Sequence, residues 1–410
     1  MKRQLITQMR NEWRSNICMI LELTIVGVVL WSSMTLFIYL ISVRMQHYGY
    51  STEDLYHAEV KYVSGKSSAY KSYDDSAHSY FTDLAQIRSK LAENPYVEMT
   101  GLGSNSMPYN FNFSGTIIEY QDKDSVYSYM GNQRYVTPEV VRMLRLEGYN
   151  GETTEQLAQI IERGDILLSN FDNEDSEDMT DGKYFVGKDV TVSRDTTRRC
   201  HVGGMAYGIH RSDYENLFRG VIYYPLNTGW GNELIIKVKS GKGRDFMETV
   251  TTKDTEHGNV YLSNLQSLDN MRDSAHRDIA TVVRNYAVCA VFLLIIIFLG
   301  FLGTFWFRVQ QRTPEISIRI VNGATRGDIF RRFLSEGMLL LIVATAISTG
   351  VEALLMHYQI GNWGMTMGDY IPWLAMSVSV VLLTIMIVAG IWMPARKAMA
   401  INPESALKDQ

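Results

Sequence analysis

The chain has 410 residues, a formal net charge of -5 at pH 7 and a hydrophobic share of 46%. That charge balance supplies no basic surface of the kind that nucleic-acid binding requires, so we expect no nucleic-acid partner. The mean hydropathy of -0.08 is that of a soluble protein. The apolar residues are nevertheless concentrated in four runs, each near the roughly 20 residues that cross a bilayer, which indicates a membrane protein.

The distribution of apolar and polar residues divides the chain into nine segments. The spans are predicted at 17–43, 285–307, 338–357 and 371–393. The segments predicted on the cytoplasmic side are an amphipathic helix at 1–16, a connecting segment at 308–337 and a tail at 394–410. The extracytoplasmic segments are a large domain at 44–284 and a short loop at 358–370.

Lysine and arginine determine this predicted orientation, because short cytoplasmic loops carry an excess of both. Four basic residues precede the first span, six arginines lie between the second and third spans, and three basic residues follow the fourth. The loop at 358–370 has none. We therefore predict a multi-pass protein of the cell (inner) membrane with both termini in the cytoplasm.

The segment at 1–16 carries apolar side chains at every fourth position, including Leu5, Met9 and Trp13. This spacing is typical of a helix that lies on membrane lipids and touches a cytoplasmic partner. A positively charged flank without that role is an equally good interpretation. The apolar run that follows is longer than the roughly 7–15 residues of a signal-peptide core and has no small-residue cleavage site, so we expect an uncleaved anchor.

Two acidic residues fall inside predicted spans, where an ionisable group is costly and usually faces protein or water. Glu22 lies about one turn inside the first span. It either pairs with an arginine of the segment at 308–337 or reaches back to the interface, and we favour the interface. Glu352 lies nearer the outer end of the third span and is a candidate intramembrane polar contact.

The third span also carries two pairs of small residues separated by three positions, Ala344 with Ser348 and Ala346 with Gly350. Such pairs allow two helices to approach closely. Both a dimer contact and ordinary packing within one bundle remain open.

The region at 44–284 alternates helical and strand-like patterns, which predicts an α+β fold of two subdomains, the second inserted in the first. Helices are predicted at 77–91, 136–144 and 154–163. Strands are predicted around Val97 and at 116–120, 165–168, 189–193, 200–207, 221–225 and 234–239. A helix within 262–279 is expected to continue into the second span, so that movement of the outer domain would shift the span.

The sequence does not support a catalytic or metal site. Val60 stands where a P-loop ending in Gly65-Lys66-Ser67 would need glycine, so we expect no ATP hydrolysis by this chain. The zinc-protease and nucleophile-elbow motifs are also missing. The acidic run at 172–181 lacks the ligand spacing of a calcium loop, and a solvated loop is the better interpretation. Cys200 is the only cysteine outside the spans and cannot form an internal disulfide.

The segment at 308–337 has helix-capping residues at two places. Thr313-Pro314-Glu315 combines an N-cap residue, a first-turn proline and an acid near the positive end of a helix dipole, which predicts a short helix. Gly323 can end that helix in the left-handed conformation. Thr325 and Asp328 form a capping-box-like start for a second helix, which enters the third span.

A different pattern overlaps the first of these two helices. Ile316, Ile318 and Ile320 alternate at period two, as the residues of a strand do. The capping residues on either side favour a helix.

Two ordered motifs follow the second and the fourth predicted spans. The first comprises Glu315-Ile316-Ser317-Ile318-Arg319, Gly323-Ala324-Thr325-Arg326, Asp328-Ile329 and Phe333-Leu334-Ser335-Glu336. The second comprises Pro394-Ala395-Arg396-Lys397-Ala398 and Asn402-Pro403-Glu404-Ser405-Ala406-Leu407. Together they resemble the signature of the MacB/FtsX-type ABC transporter permeases. The departures are Ser317, where the family mostly has glycine, and Val321-Asn322, where it has small or apolar residues.

The resemblance implies a membrane protein with four transmembrane α-helices and a large α+β extracytoplasmic domain, a MacB-like periplasmic core, between the first and second helices. The order of elements in 44–284 is similar to that core, although only loose motifs support this part. The resemblance also implies that 308–337 is a coupling segment seated on an ATPase. The contact residues carried over are Glu315, Ile316, Ile318, Arg319, Gly323 and Ala324.

The implied function is that of a permease subunit that works by mechanotransmission. ATP hydrolysis by a separate ATPase would move the spans and the outer domain for efflux or export. The chain itself would be no enzyme and would bind no cofactor, since ATP and Mg²⁺ would sit on the ATPase. The expected partners are an ABC-type ATPase dimer and a second permease chain, identical or related. A periplasmic adaptor and an outer-membrane channel are further candidates.

Other functions stay open at this point. A lipoprotein-releasing permease would dock a lipoprotein where an efflux permease docks an adaptor. A membrane regulator of a cell-wall hydrolase belongs to the same family, but the cell-division member has a much smaller outer domain. A non-transport sensor would need a cytoplasmic signalling domain, and the longest predicted cytoplasmic segment is the short one at 308–337.

Overall fold

The computed structural model describes two compact units of the chain. The described residues are 13–73, 79–110, 114–123, 125–170, 180–193, 195–210, 212–214, 220–226, 231–311, 316, 318, 323–361 and 365–399. Residues Val43–Asp278 form one unit, which we call the α+β unit. The residues before and after it form the other, which we call the membrane unit.

Helices and strands alternate through the α+β unit, whereas the membrane unit consists of long helices. The described helices are α1 (Trp13–Arg44), α2 (Tyr80–Ala92), α3 (Pro138–Met143), α4 (Thr154–Arg163), α5 (Gly243–Thr249), α6 (Thr252–Thr255), α7 (Leu268–Gln311), α8 (Arg326–His357) and α9 (Tyr370–Met399). The strands are β1 (Leu55–Tyr62), β2 (Val97–Ser104), β3 (Gly115–Asp122), β4 (Ser125–Val136), β5 (Ile166–Ser169), β6 (Asp189–Val192), β7 (Asp195–Ala206), β8 (Gly220–Pro225), β9 (Glu233–Val238), β10 (Glu256–His257) and β11 (Val260–Ser267). A 3₁₀ turn covers Gly182–Phe185.

Among the described residues, four helices are long and apolar enough to cross a membrane. Their candidate spans are Asn16–Arg44, Leu268–Thr304, Gly327–His357 and Tyr370–Met393. Each overlaps one of the predicted apolar runs. The predicted fold class, four apolar helices with a large α+β domain between the first and the second, is therefore confirmed. The finer segment boundaries and the division of the domain into two subdomains stay predictions.

The membrane unit has its core where apolar stripes of its helices meet. On α1, Met19, Leu23, Val26 and Leu30 recur every three or four residues and are all buried, which is the spacing of one helix face. They belong to one cluster with buried residues of the other long helices. Those partners are Ala290 and Ile297 of α7, Ile329, Phe333, Leu340, Leu341 and Ala344 of α8, and Leu383, Ile387 and Ile391 of α9.

The side chains on the outside of these helices are also apolar. Val288, Phe292, Ile295 and Leu299 of α7 are each at least half exposed. Such a surface is unfavourable in water and suits a hydrocarbon environment.

The strands of the α+β unit form one sheet, part of which closes on itself. Its order is β10-β11-β1-β9-β2-β4-β3-β6-β7-β5-β8, and β8 also pairs with β4. The first half of β4 pairs antiparallel with β3, and residues from Gly131 onward pair in parallel with β8 from Gly220. The strands β4, β3, β6, β7, β5 and β8 therefore make a closed six-membered ring of pairings, the arrangement of a small barrel.

The ring has an apolar interior organised around Tyr129 of β4, which is fully buried. Its hydroxyl donates to the carbonyl of Ser169 at 2.7 Å and accepts from the N–H of Ser169 at 3.2 Å. A Cβ on Gly220 would lie 1.9 Å from this hydroxyl, so only glycine fits there. Burial raises the pKa of Tyr129, which keeps the hydroxyl protonated as a donor.

The remaining strands carry helices on both faces. Leu234, Ile236 and Val238 of β9 belong to the cluster that includes the stripe Leu84, Ile87 and Leu91 of α2. Ile235, between them, belongs to the opposite cluster with α3 and α4. Because alternate residues of a strand face opposite sides, β9 is buried on both faces.

The helix predicted within 262–279 is present from Leu268 onward, and a strand precedes it. Residues up to Ser267 belong to β11, which pairs antiparallel with β1 from Tyr62↔Val260 to Tyr56↔Ser267. The helix α7 begins at Leu268. The ladder with β1 satisfies the backbone groups of 260–267, and this tertiary pairing outweighs local helical preference.

A buried carboxylate lies at the start of β9. Glu233 is 4% exposed and accepts hydrogen bonds from Ser106 N at 2.8 Å, Ser106 Oγ at 2.7 Å and Asn110 Nδ2 at 2.9 Å. His57 Nε2 lies 3.7 Å away. Burial raises the pKa of Glu233, but His57 and the hydrogen bonds from Ser106 outweigh it, so the pKa lies below the ordinary glutamate value.

Replacing Tyr129 with phenylalanine tests the interior of the ring. Tyr129→Phe leaves the N–H and carbonyl of Ser169 without their partner, and we expect a loss of roughly 1–3 kcal/mol of stability. Calorimetry of the purified chain would measure it as a lower Tm. Tyr261→Phe removes the hydroxyl of a partly exposed tyrosine on β11 and should stay within about 0.5 kcal/mol. Equal Tm values for the two variants would contradict the role of Tyr129.

The lowered pKa of Glu233 predicts how the stability of the fold depends on pH. Because its pKa is lower in the folded state, its contribution to stability is present above the ordinary value of 4.5 and is lost as the pH falls through the lowered pKa. We expect Glu233→Gln to lower stability at neutral pH and to flatten the decline below about pH 4.5. Thermal unfolding between about pH 3 and 7 measures this. Glu98→Gln, an exposed residue of β2, should leave the profile unchanged. An acid decline as steep in Glu233→Gln as in the wild type would refute the assignment.

Candidate coupling segment and helix anchor

The segment between the second and third spans is described in part. Glu315 and Arg319 lie outside the described residues, while Ile316 and Ile318 have helical backbone. Ile316 is 5% exposed within the core of the membrane unit, whereas Ile318 is 52% exposed. Residues two apart lie on one face of a strand but on nearly opposite faces of a helix. The difference in exposure therefore agrees with the predicted helix and not with a strand.

The start of α8 follows the predicted capping pattern. Gly323 has a φ of +90°, the left-handed region that glycine adopts without strain. Thr325 N donates to Asp328 Oδ2 at 3.0 Å, and Asp328 N donates to Thr325 Oγ1 at 3.3 Å. This reciprocal capping box confirms the predicted helix start. Ala324, between the two, is half-buried.

The two acidic residues predicted inside the spans both face neighbouring helices. Glu352 is 3% exposed, and Ser32 Oγ of α1 donates to its Oε1 at 2.7 Å. Glu22 lies against α7, where a Cβ on Gly300 would be 2.6 Å from Glu22 Oε1. A larger residue at 300 would push the carboxyl group aside.

The two pairs of small residues on α8 differ in burial. Ala344 and Ser348 are buried, and Ser348 Oγ donates to the carbonyl of Thr24 on α1 at 3.2 Å. A Cβ on Gly27 would lie 2.8 Å from Ser348 Oγ, so α1 and α8 approach closely here. Packing within the chain accounts for this pair. Ala346 and Gly350 are exposed.

A cluster in the α+β unit, which sequence reasoning missed, holds the first turns of α7. The carboxylate of Asp213 is 2% exposed and accepts from Tyr109 Oη at 2.9 Å and from Arg272 Nε at 2.6 Å. The backbone N–H of Asp213 donates to His276 Nε2 at 3.3 Å. Arg272 and His276 are four apart and lie on one face of α7. That spacing was the available signal, but nothing in the sequence pointed to Asp213 as the partner.

A further tyrosine supports the cluster from the other side. Tyr48 Oη donates to the carbonyl of Asp213 at 3.1 Å, and its ring packs edge-on to His210 with centroids 4.7 Å apart. Burial, with the nearby charge of Asp213, raises the pKa of Tyr48 to about 12. Tyr48 therefore stays a hydrogen-bond donor at physiological pH.

The Asp213 cluster connects a loop of the α+β unit to the start of α7. Within the described part of the chain, no group of three or more metal-ligating side chains comes together. Asp213 has donors on several sides, and this network fixes the position of α7 at its first two turns.

Parts of the chain are similar to known proteins. Residues 287–403 match the family model described as FtsX-like permease C-terminal. The macrolide export ATP-binding/permease protein MacB of Salmonella paratyphi A is 26% identical over 187 residues, which are 44% of this chain and 28% of that protein. MacB of Chromobacterium violaceum is 27% identical over 183 residues, 43% of this chain and 27% of that protein. The matched regions thus span little more than a quarter of these relatives.

A solved structure is also similar to the chain. It is the extracellular domain of the noncanonic ABC-type transporter YknZ from Gram-positive bacteria, at 12% identity and a TM-score of 0.31, covering 51% of this chain and all of that domain. At that score the likeness decides nothing about the fold.

Among the described residues, four apolar helices with an α+β unit between the first and the second are the arrangement of a multi-pass membrane protein. The family match covers the second, third and fourth of these helices and the segment that joins the second to the third. In these parts the chain is similar to the MacB/FtsX-like permeases.

Removing the carboxylate of Asp213 tests whether this cluster holds the start of α7. We expect Asp213→Ala to lower stability by roughly 1–3 kcal/mol, because Tyr109 and the partly exposed Arg272 lose their acceptor. Hydrogen exchange should also become faster at 268–276. Asp273→Ala, an exposed neighbour on α7, is the matched control. Unchanged exchange at 268–276 in Asp213→Ala would show that the helix is held by other contacts.

Proposed function

We propose that the chain is the permease subunit of an ABC transporter and that it works by mechanotransmission. The observation that carries the proposal is the family match at 287–403, which spans the second to the fourth membrane helix and the segment at 308–337. In this proposal that segment couples the membrane helices to a cytoplasmic ATPase.

The unequal burial of two isoleucines supports a coupling role. Ile316 packs into the core of the membrane unit and Ile318 is half exposed. A short helix with one apolar side chain in the bundle and another outside it can pass movement from a docked partner to the bundle. We therefore propose Ile318 as an ATPase contact, beside Glu315, Arg319, Gly323 and Ala324 from the family motif.

The continuity of α7 supports transmission along the chain. This helix runs for 44 residues from Leu268 to Gln311. Its first turns, with Arg272, are bonded to Asp213 in the α+β unit, and its last turn, which ends at Gln311, belongs to the segment at 308–337. A helix is stiff along its axis because each turn is hydrogen-bonded to the next. Movement of the coupling segment would thus reach the α+β unit without a polar substrate route through the spans, which carry few charges.

The ATPase is proposed as a separate subunit, with ATP and Mg²⁺ bound there. The names of the MacB relatives include an ATP-binding part, and the residues matched here cover 28% of one of them. We propose two ATPase chains and two permease chains, the second permease identical or related. Efflux or export is proposed because the relatives are named as macrolide exporters. The proposed site of action is the inner membrane, with both termini in the cytoplasm.

Co-purification in a mild detergent tests the coupling segment. We expect the intact chain to retain an ABC-type ATPase, identified by its P-loop peptides in mass spectrometry. Ile318→Glu should lose it, because a charge replaces an exposed apolar contact, and so should the double variant Glu315→Ala with Arg319→Ala. Ile318→Leu keeps the apolar contact and is the matched control.

A stability measurement separates coupling from folding. Ile318→Glu should keep the wild-type Tm, since Ile318 is half exposed. Ile316→Ala should lower stability by roughly 2–4 kcal/mol, because it empties space in the core. Retention of the ATPase by Ile318→Glu would refute the assignment of that contact. If no ATPase accompanies even the intact chain, the regulator and sensor interpretations would replace the transporter.

A further inference from the structure

A cleft of about 480 Å³ opens at one end of the closed ring in the α+β unit. It lies where β4 and β8 end, beside the start of β5 and the middle of β7. The mouths of small barrels are frequent places for small-ligand sites. The side chains that matter here are Tyr135, Arg198, Arg199, Cys200, Tyr224 and Leu226.

The lining of the cleft is basic and aromatic. It includes two arginines, and none of its described residues is acidic. The rings of Tyr135 and Tyr224 are stacked, with centroids 5.3 Å apart and an interplanar angle of 24°. The guanidinium of Arg198 lies 4.5 Å from the centroid of the Tyr224 ring and donates to Tyr135 Oη at 3.4 Å. Arg198 itself is exposed, and no carboxylate among the described lining residues neutralises its charge.

The hydroxyl of Tyr224 is the unusual feature of this site. Tyr224 is fully buried, and its Oη has no hydrogen-bond partner among the described residues. Buried polar groups are nearly always hydrogen-bonded, because leaving one unpaired costs free energy. Burial also raises the pKa of Tyr224, so the group is a protonated donor without an acceptor. The hydroxyl is closed to solvent in this conformation, so an anionic oxygen in the cleft would supply that acceptor once a neighbouring side chain moves aside.

We propose that this cleft binds a small organic anion. Its carboxylate or phosphate group is held by Arg198 and by the hydroxyl of Tyr224, and its apolar part packs on Tyr135 and Leu226. The long side chain of Arg198 moves off the Tyr224 ring to bind the anion, which costs its contact with that ring and one 3.4 Å hydrogen bond to Tyr135. A bond between a guanidinium and an anionic oxygen is shorter than this bond to a neutral hydroxyl, and two such bonds can form side by side. Binding at this cleft does not require the ATPase. The anion-site proposal is therefore tested independently of the coupling proposal.

Cys200 provides a reporter inside the cleft. Its thiol is partly buried beside Arg198. The other two cysteines, Cys18 and Cys289, lie in the candidate spans and are replaced by alanine. In the full-length chain in detergent, the rate at which N-ethylmaleimide modifies Cys200 then reports whether the cleft is occupied. Burial raises the pKa of this thiol, so the assay is best run near pH 8, where more thiolate is present.

The probe is 1-naphthoate, and the uncharged 1-naphthamide of the same shape is its control. We expect naphthoate to slow the modification of Cys200 at least tenfold at saturation, and naphthamide to slow it far less. Arg198→Ala should weaken the protection by naphthoate roughly 10- to 100-fold, the size of a charge-assisted hydrogen bond. Arg244→Ala, a highly exposed arginine of α5, should leave it unchanged.

The variant Tyr224→Phe distinguishes two explanations of the unpaired hydroxyl, namely that it binds a ligand or that it is only a defect in packing. Removing an unpaired buried hydroxyl should raise Tm by roughly 2–4 °C, while the affinity for naphthoate falls about tenfold. Higher stability with unchanged protection would show that the hydroxyl binds nothing and would overturn the proposal. The proposal would equally fail if naphthoate gave no protection, or protected no better than naphthamide.

Discussion

A single buried charge fixes the helix on which the proposed mechanism depends. Asp213 is removed from water, and a carboxylate in that position is stable only with donors around it. Tyr109 and Arg272 supply those donors, and His276 accepts from the backbone of the same residue. Two of these three partners lie on α7, so satisfying one carboxylate holds the first two turns of that helix in one position.

The α+β unit is arranged so that this anchor has a rigid frame behind it. β9 is buried on both faces between α2 on one side and α3 and α4 on the other. The closed ring places Tyr129 at the centre of a second core, bonded to the backbone of β5. Few side chains of either core can shift without opening a cavity, because protein interiors are close-packed. The unit is therefore suited to move as a body.

Features that depend on neighbouring residues were predicted from the sequence. The apolar runs predicted the four long helices, and the pair Thr325 and Asp328 predicted the start of α8. The strand β11 was not predicted, because it depends on pairing with β1, about 200 residues earlier in the chain. The partnership of Asp213 with Tyr109 and Arg272, at separations of 104 and 59 residues, has no local pattern at all. Glu315 and Arg319 remain predictions from the family motif.

The close contact between α1 and α8 has a consequence for how the bundle can deform. Ser348 bonds to the backbone of α1 beside Gly27, and Ser32 bonds to Glu352 about one turn further along. In hydrocarbon, no water is present to replace a hydrogen bond that breaks. Rotating or sliding one of these helices against the other would leave a serine or a glutamate unpaired in an apolar medium. We therefore expect α1 and α8 to move together as one rigid pair. Sliding of helices past one another is then expected at interfaces of the bundle that lack such hydrogen bonds.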